Sequence, residues 1–156
     1  LFKANYGRSA ASPSRFLREW SDFDRTLRNV MAALAARAAS RPVEEVVVGG
    51  GDVAEQLQRS SAADFGLRGE LPFIDSVIAA MNDEANLMEK ERKIDLVRWE
   101  EASELATFDY FNINAILSYL VRINIVARWA RLDAARGREM FNRLLAELDG
   151  KELINK

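Results

Sequence analysis

The sequence predicts an all-α fold: an elongated multi-helix domain with two related long helices near its ends and at most one short strand. Three observations carry this expectation. Apolar residues at Phe16, Trp20, Phe23, Leu27, Val30, Leu34 and Ala38 step by threes and fours, which keeps one helix face toward a partner. A second stretch, INAILSYLVRINIVARW from Ile113 to Trp129, is apolar around most of a helix circumference. The only β-branched run, Glu44 to Val48 ahead of Gly49-Gly50-Gly51, has no second run to pair with.

Taken in order, Ser12-Pro13 reads as an N-cap followed by proline in the first turn of a helix running to about Ser40. Arg41-Pro42 ends it, because the residue before proline is driven out of helical conformation. Asp52 is expected to cap a brief helix through Gln58, and Ser61 another that stops at Gly66. Pro72 opens a further helix through Met81. Asp83 to about Leu105 reads as a charged helix whose line Leu87, Ile94, Leu105 is interrupted by Glu91 and Arg98, so that line cannot be buried as a dry seam. Phe108, Tyr110 and Phe111 form an aromatic joint ahead of the long apolar helix. Asp133 is expected to cap a last helix carrying Met140, Phe141, Leu144, Leu145 and Leu148, with Gly150 as its stop.

The chain has 156 residues, 49% of them hydrophobic, enough for one domain with a real core and too few for two large ones. A single domain over 1–156 is expected. Because it opens on Leu1 rather than methionine, we expect a fragment of a longer chain. It contains no cysteine and no histidine, which removes disulfides, thiolate nucleophiles, the usual zinc ligands and the commonest general base. A net charge of −2 supplies no basic field for nucleic acid. Arg122 in the middle of the apolar helix, with Arg128 and Arg131 near its end, argues against membrane insertion. A cytoplasmic location follows as the expectation.

Setting the first long helix against the apolar stretch with an offset of one hundred aligns Phe16 with Ile116, Leu17 with Leu117, Trp20 with Leu120 and Phe23 with Ile123. The polar residues follow, Asp24 on Asn124 and Arg28 on Arg128. Both helices thus place an acid or amide four residues before an arginine, on one face. An amide buried there needs a partner, since an unsatisfied one costs about 1–3 kcal/mol, and for Asn124 that is expected to be Arg128, a backbone group or a residue on the packed helix.

Two chemical readings compete with plain structure. Gly49-Gly50-Gly51-Asp52 could expose backbone N–H groups to a phosphate, but it lacks the lysine and hydroxyl of a nucleotide-binding loop and reads better as a turn. Asp83, Glu84, Glu91, Asp95, Glu101 and Glu104 could hold magnesium in a metal-dependent hydrolase. Asn112 to Arg131 offers no facing acid, so a solvated charged face is the better account. Trp20, Trp99 and Trp129 are expected as core or interface anchors, and no cofactor is implied.

Tyr119-Leu120 followed by Asn124 and Arg128, with Arg131 beyond, resembles the helix motif repeated in the C or d subunit of rotary V/A-type ATPases. There an aromatic and leucines precede an acid and then Arg-Asn-Leu-Arg. Asp24 and Arg28-Asn29-Val30 match it differently; Asn124 stands where the motif has an acid and Trp129 where it has Asn. The ordered set Ser60 to Leu67, Lys93 to Trp99 and Ile113 to Trp129 resembles an uncharacterised bacterial family encoded beside V-type ATPase genes, from about Phe16 to Leu148. The resemblance implies a non-catalytic, membrane-peripheral ATPase component whose partners are stalk or membrane-ring subunits, with no small-molecule substrate. Asp24, Arg28, Asn29, Glu91, Arg98, Asn124, Arg128 and Arg131 are the candidate helix-contact or interface residues. The alternative is a stand-alone helical adaptor that binds an unrelated protein through Glu91 and Arg98.

Overall fold

A computed structural model of the chain describes residues 6–7, 11–83, 86–109 and 112–154, with side chains to residue 148. Its long elements are helices: α1 (Arg15–Ala38), α2 (Asp52–Arg59), α3 (Ile74–Met81), α4 (Leu87–Glu104), α5 (Ile113–Leu132) and α6 (Ala134–Ile154), with one 3-10 turn at Val43–Glu45. No strand occurs among the described residues. Two compact units divide the chain, residues 1–101 and 102–156, and the boundary falls within the last turns of α4.

In the first unit α1 is the central element, packed against α2, α3 and the 3-10 turn. Phe16, Phe23, Leu27 and Val30 are buried as their spacing predicts, but the face then continues through Ala33 and Ala36, while Leu34 is half-buried and Ala38 exposed. Leu57, Phe65, Leu67, Ile74, Val77, Ile94 and Val97 close the same core. Each such side chain, fully buried, contributes about 1.5–3 kcal/mol of transfer free energy.

The ends of α1 differ from expectation. Its cap is Ser14, whose hydroxyl accepts from Leu17 N at 3.3 Å, and Pro13 lies before the helix. At the other end Arg41 N donates to Ala36 O at 2.8 Å across Ser40, which has φ +53°. This is the Schellman arrangement, with serine in the left-handed position glycine usually fills.

Other boundaries move for similar local reasons. Gly51, at φ +104°, precedes α2, so Asp52 is its first helical residue. No helix forms from Ser61 to Gly66; the segment folds as turns. Phe65 and Gly66 both have positive φ, and Asp64 Oδ1 accepts from Gly66 N at 3.0 Å. Arg37 anchors this segment by donating to Ala62 O at 2.6 Å and to Ser60 O, its guanidinium 3.7 Å over the Phe65 ring. α3 starts at Ile74, two residues after Pro72, and α4 at Leu87, where Asn86 Oδ1 accepts from Glu89 N at 3.1 Å. Leu87 is exposed rather than part of an inward line. Glu84, Tyr110 and Phe111 lie outside the described residues.

The second unit is a hairpin of α5 and α6. Asn112 caps α5, accepting from Asn114 N at 2.8 Å. Asp133 alone forms the reversal: it is extended, and its carboxylate accepts from Ala135 N and Arg136 N at 3.1 and 3.2 Å. α6 then runs through Gly150 without stopping. Met140 and Leu144 are buried, whereas Phe141 and Leu145 are exposed. So short a link demands close helix contact near it, and Gly137 provides it: a Cβ there would lie 2.5 Å from the Ala130 backbone. Gly137→Ala is therefore expected to destabilise the protein by about 1–3 kcal/mol, read as a lower urea midpoint. The gain of up to ~1 kcal/mol in helix propensity is smaller than this clash; an unchanged or raised midpoint would refute the close contact.

Candidate functional site

The expected site residues fall into two groups. Asp24, Arg28, Asn29 and Arg98 come together in the first unit. Asp24 accepts from Tyr6 Oη at 3.0 Å and from Arg28 Nε at 2.8 Å, and lies 3.6 Å from Arg98 Nε. Arg98 also donates through Nη1 to Asp95 at 3.0 Å, and Asp95 is only 2% exposed. Glu91 lies one helical turn before Asp95 on α4 and is partly buried. Glu91 and Arg98, the charges that interrupt the apolar line of α4, are partly buried, and Ile94, Val97 and Trp99 close by in sequence are buried. A buried carboxylate persists only when paired, and Arg98 links the two acids Asp24 and Asp95.

Asn29 has a different task. Its Nδ2 donates to Val48 O and its Oδ1 accepts from Val48 N, both at 2.9 Å. The side-chain amide answers both backbone polar groups of Val48, much as a neighbouring strand would. The β-branched run forms no strand: Val43–Glu45 is a 3-10 turn, Val46 N and Val47 N donate to Val43 O, and the polar backbone groups of Val48 are answered by Asn29. Tyr6, Arg25, Arg28, Asn29, Val46 and Val48 line an open cleft of about 210 Å³ beside this contact. Arg25 at its edge pairs with Asp22 and lies 3.3 Å from where a Gly49 Cβ would be. Gly49 is thus a turn residue against an arginine side chain.

The second group lies on α5, and here the burial differs from expectation. Asn124 is exposed. The polar residue in the interior is Arg122, 1% exposed. Its Nη1 meets Glu147 Oε2 at 2.5 Å, its Nε donates to Ser118 O at 3.4 Å, and its guanidinium lies 4.6 Å from the Tyr119 ring centre. Ser118, itself buried, donates to Ala102 O at 2.5 Å. Ile125, Val126 and Trp129 complete the inward face. Arg128 is half-buried, and Arg131, exposed, donates to Ala127 O at 3.1 Å.

The residues left outward are the ones the repeat had aligned with the core of α1. Ile116 and Ile123 are exposed where Phe16 and Phe23 are buried; Ala127 and Ala130 are exposed where Leu27 and Val30 are buried. Sequence reasoning missed this inversion, and it missed Arg122 and Glu147 as a pair. The signal for the pair was present only as an arginine in an acid-free helix and an acid 25 residues on.

A model of one protein family matches nearly the whole chain. The chain belongs to the DUF2764 family. That family is described as a protein of unknown function, and the match runs over residues 1–151. No curated protein and no solved structure matches the chain.

For the acid-rich part of this DUF2764 chain, Asp83 is paired with Lys93 at 2.9 Å and Asp95 with Arg98. Among the described residues no three acids come together in a way that could hold a metal ion. No helix among them is long and apolar enough to cross a membrane.

Burial, the Asp24 charge and the hydrogen bond to it raise the Tyr6 hydroxyl above its ordinary 10.0. A group raised on folding stabilises the protein fully below its unfolded pKa, and that stabilisation is lost as pH rises through the folded value. Unfolding free energy should therefore fall above pH 10 more steeply in the native protein than in Tyr6→Phe, measured by urea titration at stepped pH; parallel curves would exclude the Tyr6 contact. Asn29→Ala strands both polar groups of Val48 and is expected to cost about 1–3 kcal/mol, with Asn29→Asp also destabilising because it loses the donor. A neutral result for Asn29→Ala by the same titration would show that Val48 does not depend on it.

Proposed function

We propose that this DUF2764 protein is a non-catalytic accessory component of a bacterial V-type ATPase, resembling a reduced C or d subunit at the periphery of the membrane. The ATPase assignment is supported by the helix motif around Tyr119, Asn124 and Arg128 and by the ordered segments Ser60 to Leu67 and Lys93 to Trp99. The observation that carries a protein-binding role is the outward apolar line of α5, in which Ile113, Ile116, Leu120 and Ile123 are each about half exposed. Large apolar side chains in a continuous exposed line mark interaction sites more often than accidents of surface composition.

The second reading, an adaptor for an unrelated protein, uses the same face. Arg98 is held inside the first unit by Asp24 and Asp95, so a partner surface through Glu91 and Arg98 would first have to break those pairs. Affinity purification of the tagged full-length protein from its native bacterium, as native sequence and as Leu120→Glu, separates the readings. We expect the native protein to retain ATPase subunits in fixed proportion and Leu120→Glu to retain about tenfold less. Capture of a different protein alone would favour the adaptor, and equal retention by Leu120→Glu would remove α5 as the interface.

A further inference from the structure

The outward line of α5 has properties that narrow what can cover it. Ile113, Ile116, Leu120, Ile123, Ala127 and Ala130 follow one another at steps of three, four, three, four and three. That is the spacing of a seam which takes another helix, knobs into holes. Ile113, Ile116, Leu120 and Ile123 are exposed by 57, 57, 50 and 47%. At 1.5 Å per residue they span about 15 Å, and Ala127, also exposed, extends the line with a small residue. The aligned residues of α1 show what this pattern does when covered, since Phe16, Phe23, Leu27 and Val30 are core.

Charge supplies the second observation. From Ile113 to Leu132 there are three arginines and no acid. The charge of Arg122 is answered inside the hairpin by Glu147. Arg131 is exposed and lies on the line of Ile113, about five turns further on. Asn124 is exposed beside Leu120 and Ile123. The seam thus ends in a cation and carries no negative charge.

We infer that the α5 seam docks an amphipathic helix of a partner protein, one whose leucine- or isoleucine-type stripe is flanked by aspartate and glutamate. This rests on the reading of α5 as an interface and names the chemistry of its partner. A second copy of the chain fits less well, because two α5 seams bring no acid to Arg131 from within either helix. A lipid surface fits less well too, because Arg131 lies on the apolar line itself, whereas membrane-surface helices keep their cations on the opposite face. An acidic helix satisfies both features, and opposite charges flanking a helical seam set partner choice and orientation.

The test uses the full chain and two synthetic amphipathic helices of equal length with the same leucine seam, one flanked by glutamates and one by lysines, each followed by fluorescence anisotropy. The glutamate-flanked helix is expected to bind about tenfold tighter than the lysine-flanked one, and to weaken as salt rises. Leu120→Glu should abolish binding of both while leaving helical circular dichroism unchanged. Arg131→Glu should narrow or reverse the preference. Equal binding of the two helices, or preference for the lysine-flanked one, overturns the proposal. So does tighter binding to phosphatidylglycerol vesicles than to either helix, or concentration-dependent self-association that Leu120→Glu removes. Failure here together with Leu120-dependent retention of a partner in cells would leave α5 as an interface with different chemistry, whereas retention insensitive to Leu120 would defeat the interface itself.

Discussion

The structure depends on one constraint: a charge taken out of water must find its opposite. In the second unit that constraint belongs to Arg122. Once the hairpin turns Trp129, Ile125 and Val126 inward, Arg122 goes with them because it lies on the same helical arc. Glu147 on α6, also reached by Arg143 Nε at 3.2 Å, compensates it. With Gly137 allowing close approach to Ala130 near the Asp133 reversal, the pair at the far end and the glycine at the near end fix how the two helices face each other. The opposite apolar line of α5 is left outward as a consequence.

The first unit meets the same constraint with a network. Asp24, Arg28, Arg98 and Asp95 are linked in sequence of contact, with the Tyr6 hydroxyl donating to Asp24. An ion pair with one exposed member, such as Arg28 and Asp24, adds little stability by itself. Its weight comes from Arg98, which carries the charge balance to Asp95 in the interior. Removing one partner would leave the other buried and unpaired, which is the costly case. Asn29 extends the principle to uncharged groups by satisfying the backbone of Val48 from a helix.

These two solutions divide the molecule's surfaces by kind. Asp24, Arg28, Asn29 and Arg98 are committed within the first unit, and the outward line of α5 is apolar with a cationic end. The inverted burial of the two aligned helices makes the same point, since one pattern serves as core in α1 and stands uncovered in α5.

The sequence by itself determined the helical class, the inward face of most of α1, the position of α5 and the Asp133 cap of the last helix, because these follow from local periodicity and from short-range hydrogen bonds to nearby backbone. Only the tertiary structure decided which face of α5 is buried. Both faces are rich in apolar residues, so periodicity could not rank them; the choice rests on the size of Trp129, the contact at Gly137 and a partner for Arg122 that lies 25 residues away. The same holds for Asn29, whose partner Val48 is 19 residues distant, and for Asp95, which is buried through its neighbours' charges. Such contacts are properties of elements brought together in space, and no window along the chain contains both halves of them.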